Sequence, residues 1–210
     1  RGVRTLAVAE CIPEDRLIRL PGFEGLHDPH VWFDVGLWST TVGCVTEALV
    51  ELDPEHAGDF RANAEQYLAE LSELDLWVRT QTSEVPSEQR VLVTAHDAFS
   101  YFGRAYDFEV RGLLGVSTAS ETGTSDVQQL ADFIADRRIP AIFVETSVPP
   151  RFGEALQGAS SPLASWLPIG GSLFSDSLGD PDSPEGTYTG TVRANVETIV
   201  GALRGGAERE

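Results

Sequence analysis

The sequence predicts an α/β fold with a mainly parallel sheet, and three observations lead to this prediction. Short apolar runs alternate with helical patterns in the second half of the chain, as in βα units. These runs are continuously apolar, which is typical of parallel strands that are covered on both faces. A helical pattern of about thirty residues precedes them, and at 1.5 Å per residue it would extend over roughly 45 Å. Such a helix could connect two lobes.

The first half is predicted to hold one strand and two helices. A short strand is expected from Thr5 to Glu10, followed by a connector rich in Pro and Gly through Phe23 and a helix from about Val35 to Leu52. Asp53 then precedes Pro54 and an acidic first turn, which is a helix-start signature. The long helix should begin there.

Strands and helices alternate after Pro86. The predicted order is strand Val91–Thr94, a helix from about Ala98, strand Val110–Val116, helix Ser125–Arg137, strand Ala141–Val144, a helix near Phe152–Gln157, strand Trp166–Ile169, and a last helix from about Thr187 to Leu203. The Gly-, Ser-, Asp- and Pro-rich stretch Ser175–Gly186 is expected to be a long loop of functional interest.

Composition favours a cationic ligand. The chain has 210 residues, 41% of them hydrophobic, and its 15 basic against 33 acidic residues give a net charge of -18. The negative charge would repel nucleic-acid phosphates and anionic lipids, so nucleic-acid and membrane-surface binding are disfavoured. No stretch approaches the roughly 20 apolar residues of a membrane-spanning helix.

The two cysteines, Cys11 and Cys44, are too far apart in sequence to form a chelating pair. Two interpretations stay open at this point. They could form a disulfide in an exported protein, or they could be two separate buried thiols.

Three residues are candidate metal ligands. His30 follows Asp28-Pro29 in a tight turn just before a helix begins. His96 follows the strand Val91–Thr94, at the edge where open α/β sheets bind their ligands. Asp176 ends an apolar run at the start of a loop. Two imidazoles and a carboxylate suit Zn²⁺ or Mn²⁺.

Three further residues need an interpretation. Glu145 follows a strand and could be a ligand, but we favour a role as the acceptor that orients His96, because a carboxylate is a usual partner of a metal-bound imidazole. His27 is the main competitor of His30. His56 is expected to be exposed and inert. The common catalytic motifs of hydrolases and nucleotide-binding enzymes are absent from the sequence.

Four motifs in order give a resemblance to a known family. They are Asp28-Pro29-His30-Val31-Trp32-Phe33-Asp34, Val93-Thr94-Ala95-His96-Asp97-Ala98-Phe99-Ser100-Tyr101-Phe102, Ile142-Phe143-Val144-Glu145 and Ser175-Asp176-Ser177-Leu178. They resemble the zinc and manganese solute-binding proteins of bacterial ABC transporters. The similarity extends over nearly the whole chain, including the long helix and Asn195 in the last helix.

The resemblance implies two α/β lobes, with parallel sheets flanked by helices, joined by a long rigid helix, with the metal between the lobes. Residues 1–52 would be the remnant of a truncated amino-terminal lobe, residues 53–84 the connecting helix and residues 85–210 the carboxyl-terminal lobe. His30, His96 and Asp176 would be three of four ligands. The family's first histidine ligand has no counterpart before His30, so we expect the natural amino-terminal segment to be missing, unless His27 has taken over that role.

The resemblance also implies a function. The protein would bind a metal ion outside the cytoplasm, in the periplasm or on the cell surface with a lipid anchor, and deliver it to a membrane permease. A histidine at position 96 favours Zn²⁺ over Mn²⁺. We expect a monomer that is not an enzyme. A metal-dependent hydrolase using the same site and a metal-stabilised adhesin are the alternatives.

Overall fold

The structure is a computed structural model that describes residues 5–20, 25–116, 124–148 and 168–204. The chain divides into two compact units, Arg1–Trp77 and Val78–Glu210. The prediction of an α/β fold with parallel strands and a long helix is confirmed. The finer division into residues 1–52, 53–84 and 85–210 stays a prediction. Within the described ranges, no helix is both long and apolar enough to cross a membrane.

Two helices dominate the described part of the first unit. Helix α1, Val35–Leu52, begins where the sequence predicts, because the side chain of Asp34 accepts a hydrogen bond from the Leu37 N–H at 2.8 Å. Helix α2, Ala57–Ser83, follows a 3-10 turn at Pro54–His56 and ends in the second unit. The predicted long helix therefore exists, but the Asp53 side chain does not cap this turn and contacts His56 instead.

The predicted strand from Thr5 to Glu10 is wrong. A 3-10 turn occupies Val8–Cys11, where the N–H of Glu10 bonds the carbonyl of Ala7 at 3.0 Å. The described residues of the first unit offer no strand with which this segment could pair; they contain only an isolated bridge between Arg19 and His27. Without a partner strand, the backbone groups bond locally.

A disulfide joins Cys11 to Cys44 and answers the question that the sequence left open. Cys11 follows directly on the turn described above, and Cys44 lies in the middle of α1. The two residues are 33 positions apart, so the bond closes a loop that contains His30. The first unit therefore has a covalent link between its irregular start and its first helix.

In the described residues, the second unit contains four strands and most of the buried hydrophobic side chains. Strand β1, Val91–His96, pairs in parallel with β2, Glu109–Leu114, and β3, Ile142–Glu145, pairs in parallel with β4, Ile169–Leu173. Strands β1 and β3 are also neighbours. The other helices in the part of the chain that the structure describes are α3 at Ser100–Tyr106, α4 at Thr124–Arg137 and α5 at Tyr188–Arg204.

The helix α4 covers the neighbouring strands β1 and β3. Its Leu130 and Ile134 pack against Val91, Val93 and Ile142 in one buried cluster. A continuous apolar cluster of this kind stabilises the fold by removing apolar surface from water. It also holds β1 and β3 side by side, and His96 and Glu145 are the last residues of these two strands.

The last strand lies further along the chain than the sequence predicts. The predicted strand is Trp166–Ile169, whereas β4 is Ile169–Leu173, and Trp166 lies outside the described residues. The strand includes Gly170, where a Cβ atom would come within 2.7 Å of the Ala202 Cβ on α5. Glycine at this position therefore allows close packing of strand and helix. The helix predicted near Phe152–Gln157 also lies outside the described residues.

Candidate metal centre

His96 is the last residue of β1 and is completely buried. Its backbone position depends on a close approach of the neighbouring strand β2. A Cβ atom at Gly112 would lie 2.5 Å from the Asp97 nitrogen, so only glycine permits this approach. The parallel strand therefore delivers His96 to the carboxyl edge of the sheet, as the sequence predicts.

Glu145 holds His96 through both of its carboxylate oxygens. Oε1 accepts a hydrogen bond from the backbone N–H of His96 at 2.9 Å, and Oε2 contacts the ring Nδ1. Both side chains are buried. Because an ionised carboxylate only accepts hydrogen bonds, Nδ1 carries the hydrogen and Nε2 keeps a lone pair. This geometry corresponds to the orienting role that the sequence favours for Glu145.

Asp176 lies on the other side of the His96 ring. Its Oδ2 is 3.6 Å from Nε2 of His96, and its side chain is 38% exposed. Asp176 follows β4, so the second unit brings three of the predicted site residues together at neighbouring strand ends. Two of them, His96 and Asp176, point a potential ligand atom at each other.

Opposing effects act on the proton affinity of His96. Burial acts to lower its pKa, because the imidazolium loses hydration. The hydrogen bond to Glu145 and the charges of Glu145, Asp176 and Asp97 act in the opposite direction and prevail, so the pKa of His96 is raised. The negative groups that attract a proton here would also attract a metal cation.

His30 is held in the first unit in a similar way. Oδ1 of Asp28 lies 2.7 Å from the ring Nδ1 and also accepts the backbone N–H of His30 at 2.9 Å. Asp28 and His30 are 2% and 3% exposed. The indole of Trp32 meets the His30 ring edge to face, with centroids 5.3 Å apart. Asp28 and Trp32 thus fix the ring and leave Nε2 as its potential ligand atom.

The other two histidines have different surroundings. Nε2 of His27 lies 3.9 Å from a carboxylate oxygen of Glu14, and its backbone forms the bridge to Arg19. The His56 side chain is 59% exposed and its Nδ1 lies 2.8 Å from Asp53. The carboxylates beside these two histidines are exposed, whereas those beside His30 and His96 are buried.

Two residues with clear structural roles were missed in the sequence. The first is Asp28, which holds His30. An acidic residue two positions before a histidine is a local signal that can predict such a contact. Asn195 was noted only as part of the resemblance. Its side chain bonds the backbone of Phe174, which is 21 residues away, and no local pattern predicts such a contact.

Comparison with known proteins identifies the class to which this fold and site belong. Residues 3–202 match the family described as ZnuA, the periplasmic component A of a zinc-uptake complex. The chain belongs to this family, and the resemblance to metal solute-binding proteins is confirmed.

Particular relatives define the relationship further. The chain is 50% identical over 204 residues to the zinc-binding protein TroA of Treponema pallidum, an alignment that covers 97% of this chain and 66% of TroA. It is 44% identical over 202 residues to the manganese-binding lipoprotein MntA of Bacillus subtilis, covering 96% of this chain and 65% of MntA. The chain thus extends over about two thirds of the length of these relatives, or slightly less.

A solved structure is also closely similar. The structure of the periplasmic zinc-binding protein TroA from Treponema pallidum superposes with a TM-score of 0.90 at 50% identity. The superposition covers 97% of this chain and 73% of that one. The fold of the described residues is therefore that of TroA-type solute-binding proteins.

Proposed function

We propose that this chain captures a divalent transition-metal ion, Zn²⁺ in preference to Mn²⁺, as the binding component of an ABC-type uptake system. The observation that carries the proposal is the arrangement around His96. Glu145 holds Nδ1, so Nε2 is the atom that can bind a metal, and Asp176 offers a carboxylate oxygen 3.6 Å from it. An imidazole nitrogen and a carboxylate oxygen are suitable donors for both ions.

The proposed ligands are His30, His96 and Asp176. The His30 ring supports its assignment, because a buried carboxylate holds its Nδ1 as well and leaves Nε2 as the donor atom. Glu145 is proposed to orient His96 and not to bind the ion, because both of its oxygens contact that residue. Two nitrogen donors favour Zn²⁺ over the harder Mn²⁺.

The proposed context is transport outside the cytoplasm. The family description names a periplasmic component of a zinc-uptake complex, and the relatives carry the names zinc-binding protein and manganese-binding lipoprotein. We propose that the protein acts as a monomer in the periplasm or with a lipid anchor on the cell surface. There it would deliver its ion to a membrane permease, without catalytic activity and without a nucleic-acid partner.

The described contacts support a carrier over a metal-dependent hydrolase. A hydrolase would need a general base close to the metal-bound water. Both oxygens of Glu145 contact His96, and Oδ1 of Asp97 accepts a hydrogen bond from the Ser100 hydroxyl at 2.8 Å. Glu145 and Asp97 thus both make structural contacts, and these contacts disfavour a role as a general base.

The experiment is a metal titration. The chain is purified without added metal, and its affinities for Zn²⁺ and Mn²⁺ are measured in competition with a chelator, together with those of His96→Ala and of His56→Ala as the control. We expect tight Zn²⁺ binding, weaker Mn²⁺ binding, strong loss in His96→Ala and no change in His56→Ala. Equal affinities of the unsubstituted chain and His96→Ala would overturn the proposal.

A further inference from the structure

Asp176 differs from the two histidines in the way it is held. Its side chain is partly exposed, whereas those of His30 and His96 are buried beside carboxylates. The backbone just before it, however, has strong support. The segment Leu173–Ser175, which leads out of β4, determines where the backbone of Asp176 lies.

Asn195 of α5 binds this segment at two points. Its Oδ1 accepts the backbone N–H of Phe174 at 2.9 Å, and its Nδ2 donates to the backbone carbonyl of the same residue at 2.8 Å. The side chain is 4% exposed, so these bonds are protected from competition with water. A side-chain amide that bonds both the N–H and the carbonyl of one residue restricts the movement of that residue's backbone.

Further contacts support the same segment from the end of β3. The hydroxyl groups of Ser175 and Ser147 are 2.7 Å apart, and Ser147 follows directly after β3 and Glu145. The backbone N–H of Thr146 also bonds the carbonyl of Leu173 at 2.9 Å. The chain before Asp176 is thus fixed between α5 and the end of β3, next to the residue that orients His96.

We propose that Asn195 is a positioning residue for metal binding: through the backbone of Phe174 it sets the distance between the Asp176 carboxylate and Nε2 of His96. This inference rests on the proposed function, since it requires Asp176 to be a ligand. The mechanism predicts that a change at Asn195 acts on metal affinity only as long as position 176 carries a carboxylate.

The test is a double-mutant cycle on Zn²⁺ affinity in this chain, with Asn195→Leu, Asp176→Asn and their combination. Asn195→Leu has a similar size but removes both bonds. We expect Asn195→Leu to weaken Zn²⁺ binding by about ten- to a hundredfold, as is usual for the loss of a residue that orients a ligand. In the Asp176→Asn background, Asn195→Leu should have almost no further effect.

The control is Thr198→Val on the same helix. Thr198 bonds the carbonyl of Ala194 within α5 at 2.8 Å, so its loss perturbs the helix without touching the segment before Asp176. We expect an unchanged Zn²⁺ affinity for this variant. Bound Co²⁺ provides a second readout, because its visible absorption reports coordination geometry. We expect the spectrum to change in both Asn195→Leu and Asp176→Asn and to stay the same in Thr198→Val.

The outcomes separate the two proposals. If Asp176→Asn leaves Zn²⁺ affinity unchanged, Asp176 is not a ligand and the proposed site fails together with this inference. If Asp176→Asn weakens binding but Asn195→Leu has an equal effect in both backgrounds, the site stands and the positioning role is overturned. Should Asn195→Leu not fold, Asn195→Asp is used in the same cycle. It keeps the side-chain size and loses the donor, and it should also weaken binding only when Asp176 is present.

Discussion

His30 in the first unit and His96 in the second are held by the same kind of contact. The two contacts differ in how far the carboxylate is from the histidine in the sequence. In each case a buried carboxylate receives the backbone N–H and the ring Nδ1 of one histidine. Asp28 is two residues from His30 and uses a single oxygen, whereas Glu145 is 49 residues from His96 and uses both. One arrangement is local and the other requires two strands to pack.

This difference indicates how robust each arrangement should be. The pair in the first unit depends on a turn, in which Pro29 restricts the backbone between the two residues. The pair in the second unit depends on the neighbouring strands β1 and β3 and on the helix that covers them. The two histidines can therefore be perturbed independently, and the following predictions use that independence.

The largest effect is expected from removing a proposed ligand. His96→Ala and His30→Ala should each weaken Zn²⁺ binding by more than the ten- to a hundredfold that the loss of an orienting carboxylate costs. A donor atom is lost in these variants, whereas an orienting variant only misplaces it. Titration against a chelator measures the effect, and circular dichroism checks the fold. If either variant binds as tightly as His56→Ala, that histidine is not a ligand.

The next prediction compares the two carboxylates by amide substitution. Glutamine has one carbonyl oxygen and one NH₂ group where Glu145 has two oxygens. In Glu145→Gln, the NH₂ group must therefore face either the His96 backbone N–H or the ring Nδ1, and an acceptor is lost at that position. When it faces the ring, it favours the tautomer with the hydrogen on Nε2, which cannot bind metal. We expect a loss of Zn²⁺ affinity of about ten- to a hundredfold.

Asp28→Asn should have a smaller effect than Glu145→Gln. The same oxygen, Oδ1, receives both bonds from His30, and an asparagine retains that oxygen. Only the charge is lost, and the tautomer of His30 is preserved. Zn²⁺ titration of the two variants side by side tests the comparison. Equal losses would indicate that charge, and not the acceptor pattern, determines how well a histidine is prepared for the ion.

Much of the fold could be predicted because its signals are local. The Asp53-Pro54 pair marks the start of the long helix, and apolar runs mark the strands β1 and β3. The candidate ligand His96 could be located because a strand end is visible in the sequence and the edge of a parallel sheet is a known place for ligands. The orienting role of Glu145 followed from the same reasoning.

Long-range contacts account for what the sequence did not reveal. Thr5–Glu10 has the apolar character of a strand, but a strand requires a partner that the described part of its unit does not offer. The packing role of Gly170 has no local signal, because Ala202, which it contacts, is more than 30 residues away in the sequence. Asn195 and the Cys11–Cys44 bond also depend on tertiary proximity, which single-sequence patterns do not contain.

A smaller effect is expected from pH. Neutral imidazoles bind metal, so protons compete with Zn²⁺ as the pH falls. Because the pKa of His96 is raised, it takes up its proton at a higher pH than a free imidazole, for which the value is about 6.5. Zn²⁺ affinity should therefore begin to fall above about pH 6.5 and continue to fall below it.

The same titration tests whether His96 determines the pH dependence. Glu145→Gln removes the hydrogen bond and the charge that do most to raise the pKa of His96, so the fall in affinity should move to lower pH in this variant. A flat profile between pH 5 and 8 in the unsubstituted chain would mean that imidazoles are not ligands. An unchanged midpoint in Glu145→Gln would mean that His96 does not control the profile.

The smallest effect on metal binding is expected from removing the disulfide of the first unit. The double variant Cys11→Ser, Cys44→Ser opens a loop of 33 residues, and a crosslink of this size contributes about 4 kcal/mol to the free energy of unfolding. Amide hydrogen exchange should become faster in the described residues 5–20 and in α1, and stay slow in β1 and β3. Zn²⁺ affinity should fall by clearly less than about tenfold, the lower end of the loss expected for Glu145→Gln. The reason is that Asp28 holds His30 through local bonds that do not involve the crosslink. A loss as large as that of Glu145→Gln, with the second unit still slow to exchange, would show that the local pair is insufficient and that the disulfide positions His30.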